Sequence, residues 1–481
     1  MKEKKMNSKV IFVGLLLAIL LSPPIGSAAQ GQVHSLSFLE AWQSALKQTP
    51  ELLMSRARVA EAEAAFKTAH GSLFPQLQAS YTGSGSDNAL NVFGMKLTQR
   101  KATFNDFGAG QFNPLDPTSL FIAPENLNNP GWYDNYQGKL ELQIPVFNGG
   151  KVRGYLEQAR AYLGAAQQGD EMARQQLTLA VLKTYEGVRT ANAFVGVAIK
   201  TVTAAEAYAD LTDKLFARGV VSHNDQLRAQ LNLSDVRLRM AEASAYLDKA
   251  YDQLRILVGL PDDSSPEVLD VLAVRMPQGT LQDLRLQLLE TNPGLLAMGK
   301  KLDAVKAEVK IARADSLPHF NVVVSQEWNS PSVDSVGESA SMIAGVLSWN
   351  LFDFGVRRGK VAQANARSVQ QAAELQQARN QLRLQLDSAW RDVKLAAERV
   401  KVRELAIAQA EEAERLERLR YEKGVSTMTE LLAVQAELDK ARSDLVAARY
   451  QQIMQRAGLL LALGQLTPDA VSNVTPAGNP G

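Results

Sequence analysis

The sequence has no cysteine, which excludes disulfides, thiolate metal sites and a cysteine-linked lipid anchor. Its four histidines are scattered and its eleven methionines do not cluster, so no metal site or other cofactor is predicted. Neither sign of charge prevails, with 52 basic and 51 acidic residues, and nothing indicates a nucleic-acid partner. No catalytic constellation is visible either. We therefore expect a protein that is not an enzyme.

Long apolar runs are also lacking beyond the N-terminus. Residues 1–29 combine early lysines, the apolar run 10–21 and small residues at 27–29, a pattern typical of a cleaved export signal. Pro23 and Pro24 end the run before the roughly 20 residues that a membrane-spanning helix needs. Because no later stretch is apolar enough to span as a helix, we expect the mature chain to enter a membrane only with strands.

What the sequence does contain is a strand pattern joined directly to a long helical one. Polar and apolar residues alternate over 137–147, which predicts a strand with one apolar face. After Gly149 and Gly150 the pattern becomes helical over 152–216, a length that would make a rod of roughly 95–100 Å. Gly219 then supplies a helix-ending reversal, and a return helix is predicted over 224–258.

The same plan occurs twice in the chain. Thr49-Pro50 returns 243 positions later as Asn292-Pro293 (293 − 50), and the strand-to-helix junction returns after 205 positions (355 − 150). The glycines Gly150, Gly154, Gly219 and Gly259 thus recur as Gly355, Gly359, Gly424 and Gly464. A heptad seam keeps the same phase in both long helices, at Leu177, Val181, Val188 and Ala191 and at Leu382, Leu386, Val393 and Ala396.

These landmarks divide the chain into two repeats, 30–260 and 281–466, separated by a linker at 261–280 and followed by a tail at 467–481. The predicted strands cover about 74–83, 137–147, 318–328 and 341–352, and the helices of the second repeat cover about 357–422 and 429–463. Residues 83–135 are rich in Gly, Asn, Asp and Pro and are predicted as a loop.

Strands of about ten residues suit tilted membrane spans. Four strands cannot close a barrel, and lipid does not tolerate an open edge, so several chains must pool their strands. Three chains would supply about twelve strands, whereas two would supply about eight and a narrow interior. The alternative is an ordinary soluble sheet packed against a core.

The sequence resembles the TolC-like outer-membrane efflux protein family. The duplication, the segment 145–154 and the turns Phe216-x-x-Gly219-Val220 and Tyr421-x-x-Gly424-Val425 carry this resemblance, which covers about residues 35–466. It implies an α+β membrane protein of a Gram-negative bacterium: a homotrimer whose twelve-stranded β-barrel in outer-membrane lipid continues as a periplasmic α-helical coiled-coil barrel. It also implies two protein partners, a periplasmic adaptor and an inner-membrane pump of the resistance-nodulation-division or ABC type.

The resemblance assigns candidate site residues by position. Asp225, Glu430 and Tyr421 match the periplasmic entrance, where carboxylates around an axis would favour cations; both acids also complement a helix dipole. The adaptor-docking tips are Arg218, Gly219, Val220, Lys423, Gly424 and Val425. The strand-to-helix junction comprises Gly149, Gly150, Gly154, Gly355 and Gly359.

One position departs from the family pattern. Ser426 replaces an arginine of the entrance, and Arg218, Lys423 or Arg228 are the candidate substitutes. The resemblance favours a passive duct for drug or metal efflux, and type I protein secretion is the second hypothesis. A soluble periplasmic coiled-coil scaffold or adaptor is the alternative from another class.

Overall fold

The computed structural model describes residues 35–262, 264, 266–268 and 270–473. The predicted export signal lies outside the described residues, as do the last eight positions of the predicted tail. The helices and strands follow in this order: β1 (Ser35–Leu36), α1 (Phe38–Gln48), α2 (Pro50–Gly71), β2 (Gln76–Ser86), α3 (Ala89–Thr98), α4 (Glu125–Asn128), β3 (Tyr133–Phe147), α5 (Lys151–Ala217), α6 (His223–Val258), β4 (Glu267–Val268), β5 (Leu272–Val274), α7 (Leu281–Thr291), α8 (Pro293–Ala314), β6 (His319–Ser330), β7 (Glu338–Ser348), α9 (Val356–Glu422), α10 (Met428–Leu463) and β8 (Val471–Asn473).

The duplication is present in the fold. Helices α5 and α9 each contain 67 residues and begin 205 positions apart (356 − 151). Helices α6 and α10 each contain 36 residues at the same offset (428 − 223). The shorter helices α2 and α8, of 22 residues each, keep the offset of 243 (293 − 50). At 1.5 Å per residue, each long helix spans roughly 100 Å.

The four long strands form one antiparallel sheet in the order β2-β3-β6-β7. The central pair β3–β6 joins the two repeats, with Leu142 opposite Val324. The outer strands β2 and β7 each pair on one side within the described chain. Of the helices in the described part, none is long and apolar enough to cross a membrane.

Several segments differ from their predicted bounds. Strand β2 extends to Ser86 and β3 begins at Tyr133, so both reach into the region predicted as a loop. The last strand, predicted for 341–352, is observed at Glu338–Ser348, because its neighbour β6 begins at His319, which pairs with Ser348. Trp349 therefore lies outside the strand, and its indole N–H donates to the Ser316 carbonyl at 3.2 Å. The region predicted as a loop contains α3, whose N-cap Asn88 accepts hydrogen bonds from two backbone amides of the first turn.

The helices pack around the sheet-to-helix junction and along the rods. Helix α5 pairs with α6 and α9 pairs with α10, while α8 lies against both α5 and α9, and α2 lies against α5. The largest apolar cluster forms where α1, α5, α6 and α10 meet β1, β5 and β8. A second lies between α7, α8, α9 and α10, and a third lies near the far tip of the rods.

Candidate channel entrance at the helical tip

Both helical hairpins reverse at a glycine in the left-handed conformation. Gly219 has φ +75° and Gly424 has φ +71°, a region that residues with a Cβ rarely adopt. In each turn, the amide that follows the glycine donates to a carbonyl five residues earlier, at 2.9 Å for Val220 and 3.0 Å for Val425. This is the Schellman arrangement of a helix C-terminus. The two repeats therefore build the same turn from the same residue types.

The two turns lie next to each other. A Cβ built on Gly424 would be 3.5 Å from Val220 Cγ1. Val220 and Val425 are exposed, at 50% and 65%, and the side chains of Arg218 and Lys423 are exposed as well. An exposed pair of apolar residues beside two cations forms one small surface at the end of the rods. The structure thus gathers the residues assigned to adaptor docking.

The two carboxylates assigned to the entrance by the resemblance belong to capping boxes. Asp225 Oδ2 accepts from the Ser222 hydroxyl at 2.8 Å, and the Asp225 amide donates back to Ser222 Oγ at 3.2 Å. Glu430 Oε2 accepts from the Thr427 amide at 2.8 Å, and its own amide donates to Thr427 Oγ1 at 3.3 Å. Each carboxylate therefore helps to start a return helix, in addition to any role at an entrance.

The surroundings of Glu430 favour its charged form. The Thr427 amide, the Ser426 hydroxyl and the Thr427 hydroxyl all donate to this carboxylate, and they hold the pKa of Glu430 below its ordinary value of 4.5. Glu430 therefore stays ionised at neutral pH.

Tyr421 lies in the apolar cluster at the tip and is 1% exposed. Its hydroxyl is 3.1 Å from Thr212 Oγ1, which links α9 to α5. Burial raises the pKa of Tyr421 above 10, and the nearby Asp225 carboxylate adds to the rise. The hydroxyl therefore remains protonated. Asp225 itself is hydrogen-bonded to Ser222, as described above.

A second buried contact at the tip was not predicted from the sequence. The Tyr208 hydroxyl in α5 donates to the Glu414 carboxylate in α9 and lies 2.9 Å from Gln435 Oε1 in α10. Tyr208 is 3% exposed, and its burial, together with Glu414, raises its pKa. Tyr208 lies 206 positions from Glu414 and 227 positions from Gln435, so no local sequence pattern predicts the contact.

Ser426 lies between two carboxylates. Its hydroxyl contacts the Glu417 carboxylate and is 2.8 Å from Glu430 Oε2. Glu417 also forms an ion pair with Arg420 at 2.8 Å. Arg420, in the last turns of α9, is therefore the arginine that pairs with Glu417 in this structure. Arg218, Lys423 and Arg228 stay candidate substitutes for the arginine that Ser426 replaces.

The junction glycines have unequal surroundings. Gly149, Gly150 and Gly355 adopt positive φ angles of 63°, 84° and 94°. A Cβ on Gly154 would lie 2.7 Å from Ile311 Cγ1, whereas a Cβ on Gly359 would meet nothing within 4 Å. Gly154 therefore permits close packing of α5 on α8, and its equivalent in α9 faces open space.

Metal ligands were also considered. Across the part of the chain that the structure describes, no group of three or more His, Asp or Glu residues is arranged to hold a metal ion.

The geometry first defines an architecture, a four-stranded antiparallel sheet continued by two long helical hairpins. The model of the family described as "Outer membrane efflux protein" matches residues 41–260 and 284–465, which is most of the chain. The chain belongs to the outer membrane efflux protein family, as the sequence resemblance predicted.

Known proteins resemble the chain over most of its length. Protein CyaE of Bordetella pertussis is 27% identical over 69% of this chain and 71% of its own length. The proteases secretion protein PrtF of Dickeya chrysanthemi is 22% identical over 94% of this chain and 92% of its own length. The crystal structure of the outer membrane protein VceC from Vibrio cholerae matches 89% of this chain and 96% of its own, with a TM-score of 0.72 and 18% identity.

The protein is an outer-membrane channel that extends into the periplasm and serves export. The soluble periplasmic scaffold considered from the sequence is excluded by this family membership. The family consists of channels and not of enzymes, in line with the expectation from composition.

Proposed function

We propose that three copies of the chain form a passive export duct. In this assembly the sheets would close a barrel of about twelve strands, and the rods would continue it as a tunnel across the periplasm. The observation that carries the proposal is the sheet order β2-β3-β6-β7, which leaves β2 and β7 as edges. In lipid, each unpaired backbone group of an edge strand costs several kcal/mol. This cost favours pairing of the edges between copies, which closes the sheet into a barrel.

The far tip would be the periplasmic entrance. Tyr421, Asp225 and Glu430 lie where the hairpins end, and buried hydrogen bonds from Tyr208 and Tyr421 tie α5 to α9 there. Three copies would place three sets of carboxylates around one axis, and such a ring attracts cations and repels anions. Opening would require the ties between the hairpins to loosen.

The exposed surface around Val220, Val425, Arg218 and Lys423 would receive a periplasmic adaptor. It combines apolar area with positive charge, which fits a partner surface carrying apolar and acidic side chains. The adaptor would join the duct to an inner-membrane pump of the resistance-nodulation-division or ABC type, and the pump would supply the energy for export.

For the cargo, we propose small toxic molecules or metal ions as the first class. A secreted protein is the second class, and the likeness to PrtF over nearly the full chain favours it. The two cargo classes can be distinguished by expressing the protein in a host that lacks its own outer-membrane export channel. Restored resistance to toxic compounds or metals without protein release supports the first class, and release of a secreted protease with no change in resistance supports the second.

The assembly itself is tested with protein extracted from outer membranes in mild detergent. A heat-sensitive trimer that inserts into planar bilayers and gives discrete conductance steps is the expected result. A stable monomer without conductance would refute the proposed duct.

A further inference from the structure

The connection from β2 to β3 is a folded unit rather than an extended loop. It covers residues 87–132, here named the insert, whereas the matching connection in the second repeat covers only residues 331–337. The insert contains α3, α4 and three short 3-10 turns. Val92 is fully buried inside it, and the rings of Phe93 and Phe107 meet edge to face at 5.1 Å. The insert thus has a small apolar core, which a connection as short as 331–337 cannot form.

Hydrogen bonds and an ion pair fix the insert to one end of the sheet. The side-chain amide of Gln99, which is 2% exposed, donates to Asn135 Oδ1 in β3 at 2.9 Å. Asn135 in turn donates to Asn329 Oδ1 in β6 at 3.0 Å. The Arg100 guanidinium lies 3.3 Å from the Glu338 carboxylate in β7. The insert therefore begins at β2 and crosses β3 and β6 to reach β7.

The three anchor residues of the sheet lie on its polar face. Asn135 shares this face with Gln137 and Lys139, because side chains alternate along a strand, and the leucines of β3 lie on the other face. Asn329 pairs directly with Gln137 and with Glu338, so these anchors lie on the same face. In a membrane barrel the apolar face meets lipid and the polar face lines the interior. The insert is therefore on the lumen side of the proposed barrel.

The part of the insert that follows α3 exposes much apolar surface. Between residues 102 and 124 the chain has no lysine or arginine. The large apolar side chains of this stretch, here named the apolar patch, are each more than half exposed: Phe104, Phe112, Leu115, Leu120, Phe121 and Ile122. Contiguous apolar surface of this kind marks a contact with another molecule. Lipid cannot cover the patch, because the insert is on the lumen side.

The size of the insert indicates which molecule covers the patch. A barrel of about twelve strands, spaced about 4.8 Å apart and tilted by about 40°, has a radius of about 12 Å and an opening of about 450 Å². Helix α3 has 10 residues, so it covers roughly 15 Å by 10 Å, or about 150 Å². Three such helices therefore account for the whole opening, and their inserts meet near the barrel axis.

We propose that the inserts of three copies pack on one another through their apolar patches and close the outer mouth of the duct. The occupant of each patch is the same segment of the other two copies. This closure is separate from the helical tip, which lies at the opposite end of the rods. It rests on the proposed multi-copy duct, because a single chain supplies only one third of the cover.

The attachment of the insert allows it to be released as a unit. Gly131, where the insert ends, has φ +69°, and a Cβ there would meet nothing within 4 Å. Arg100 has φ +52°, a left-handed conformation that residues with a Cβ rarely adopt. Its contacts with Glu338 and with the Ser339 carbonyl hold it there. Breaking these two contacts frees the strained residue, and the insert can then turn about Gly131 to let cargo leave.

The first test measures access from outside to a single cysteine in the lumen of intact cells. The chain has no cysteine of its own. Gln78 is exposed on the polar face, opposite Glu141, so Gln78→Cys should react with a small charged maleimide. A maleimide on a long polyethylene glycol chain should react far more slowly. Val333→Cys, at a position 62% exposed in the 331–337 turn, should react readily with both reagents.

The matched variants alter the apolar patch alone. Phe104 and Phe121 are 87% and 88% exposed in the single chain, so their replacement leaves the core of the insert intact. Phe104→Asp/Phe121→Asp would crowd carboxylates of three copies at the axis. It should raise the rate of reaction of Gln78→Cys with the long reagent roughly tenfold, since the open fraction sets that rate. Phe104→Leu/Phe121→Leu keeps the patch apolar and should leave the rate unchanged.

The second test asks whether the patches touch. Leu115→Cys or Phe121→Cys, treated with a short bismaleimide in outer membranes, should give covalent dimers on denaturing gels. Val333→Cys should give none, because three equivalent points on a rim of about 12 Å radius are about 20 Å apart.

The closure and the duct can fail separately. Equal reaction of Gln78→Cys with both reagents beside the native insert, or native trimers without cross-links at both patch positions, would overturn the closure and leave the duct. An unchanged rate in the aspartate variant would do the same. If neither reagent reaches Gln78→Cys in any variant while Val333→Cys reacts, the polar face does not line a water-filled path, and both proposals fail.

Discussion

The hydroxyl of Tyr421 lies 3.1 Å from that of Thr212, and this contact joins the two long helices near their far ends. Thr212 is fully buried, and its own proton is donated to the Tyr208 carbonyl at 2.7 Å. The proton between the two hydroxyls therefore comes from Tyr421. Because both groups are buried, neither can exchange this bond for one to water while α5 and α9 stay packed at this level.

Tyr421→Phe removes this bond and leaves the apolar packing in place. The loss of one neutral hydrogen bond is expected to cost about 0.5–1.5 kcal/mol. If the tip gates the duct, the open-to-closed ratio should rise by roughly two- to tenfold, measured as open probability in planar bilayers. Tyr155→Phe is the control, because Tyr155 is 44% exposed near the other end of α5. Equal effects of both substitutions would remove Tyr421 from the gate.

The entrance carboxylates require a charge-specific test. Alanine at Asp225 or Glu430 would also remove a capping-box bond and destabilise a helix start. Asp225→Asn with Glu430→Gln keeps an acceptor oxygen in each place and removes only the charge. We expect the preference for cations over anions to fall severalfold, measured from reversal potentials in a salt gradient. Unchanged selectivity would show that neither carboxylate faces the permeation path.

Ser426→Arg introduces the arginine that the resemblance predicts at this position. The new guanidinium would lie beside the Glu417 and Glu430 carboxylates, which the serine hydroxyl now contacts. Because the site is partly exposed, the added ion pair should stabilise the closed tip by only about 0.5–1 kcal/mol. Open probability should fall by two- to fivefold, on the order that this energy allows. Ser426→Gln, similar in reach but neutral, should leave it near the wild-type value.

Much of the fold was predictable because glycines mark where the chain must turn. The heptad seam also located buried positions, since Leu177, Val181, Val188 and Ala191 are each 5% exposed or less. The seam works as a predictor because a helix of about 100 Å has to bury one continuous stripe to be stable. The end of β7 was not predictable in the same way. Its alternating pattern continues through Trp349 to Leu351, and only the start of β6 shows where pairing stops.

The site was predictable at the turns and not between the helices. Gly219, Gly424, Asp225 and Glu430 act through residues within six positions, so local sequence contains their structural role. Tyr208 and Glu414 lie on different helices, and no local sequence pattern predicts their contact. Phe354 is a further case: it adopts φ +51° where the first repeat has Gly149, so the second repeat makes the same junction without the expected glycine.

Glu430 predicts a pH dependence at the tip. Its folded pKa is lowered by the hydrogen bonds from Thr427 and Ser426, so its contribution to stability is fully present above the ordinary carboxyl pKa of 4.5. That contribution is lost as pH falls through the lowered pKa of Glu430 in the folded state. Open probability should therefore rise as pH drops below about 4.5. Glu430→Gln should flatten this part of the pH profile; an unchanged profile would assign the response to another group.

The turn glycine itself gives the last test. Gly424 has φ +71°, and a Cβ there strains the backbone by about 1–2 kcal/mol, with a smaller cost for asparagine. Gly424→Ala should therefore weaken adaptor binding and export several-fold more than Gly424→Asn does. Both variants should insert normally, because the turn is at the opposite end of the rods from the sheet. Gly424→Pro should abolish export, since proline cannot adopt a positive φ. Binding to a purified adaptor and the amount of protein in the outer membrane are measured together. Loss of insertion in the alanine variant would show that the turn is needed for folding rather than for docking.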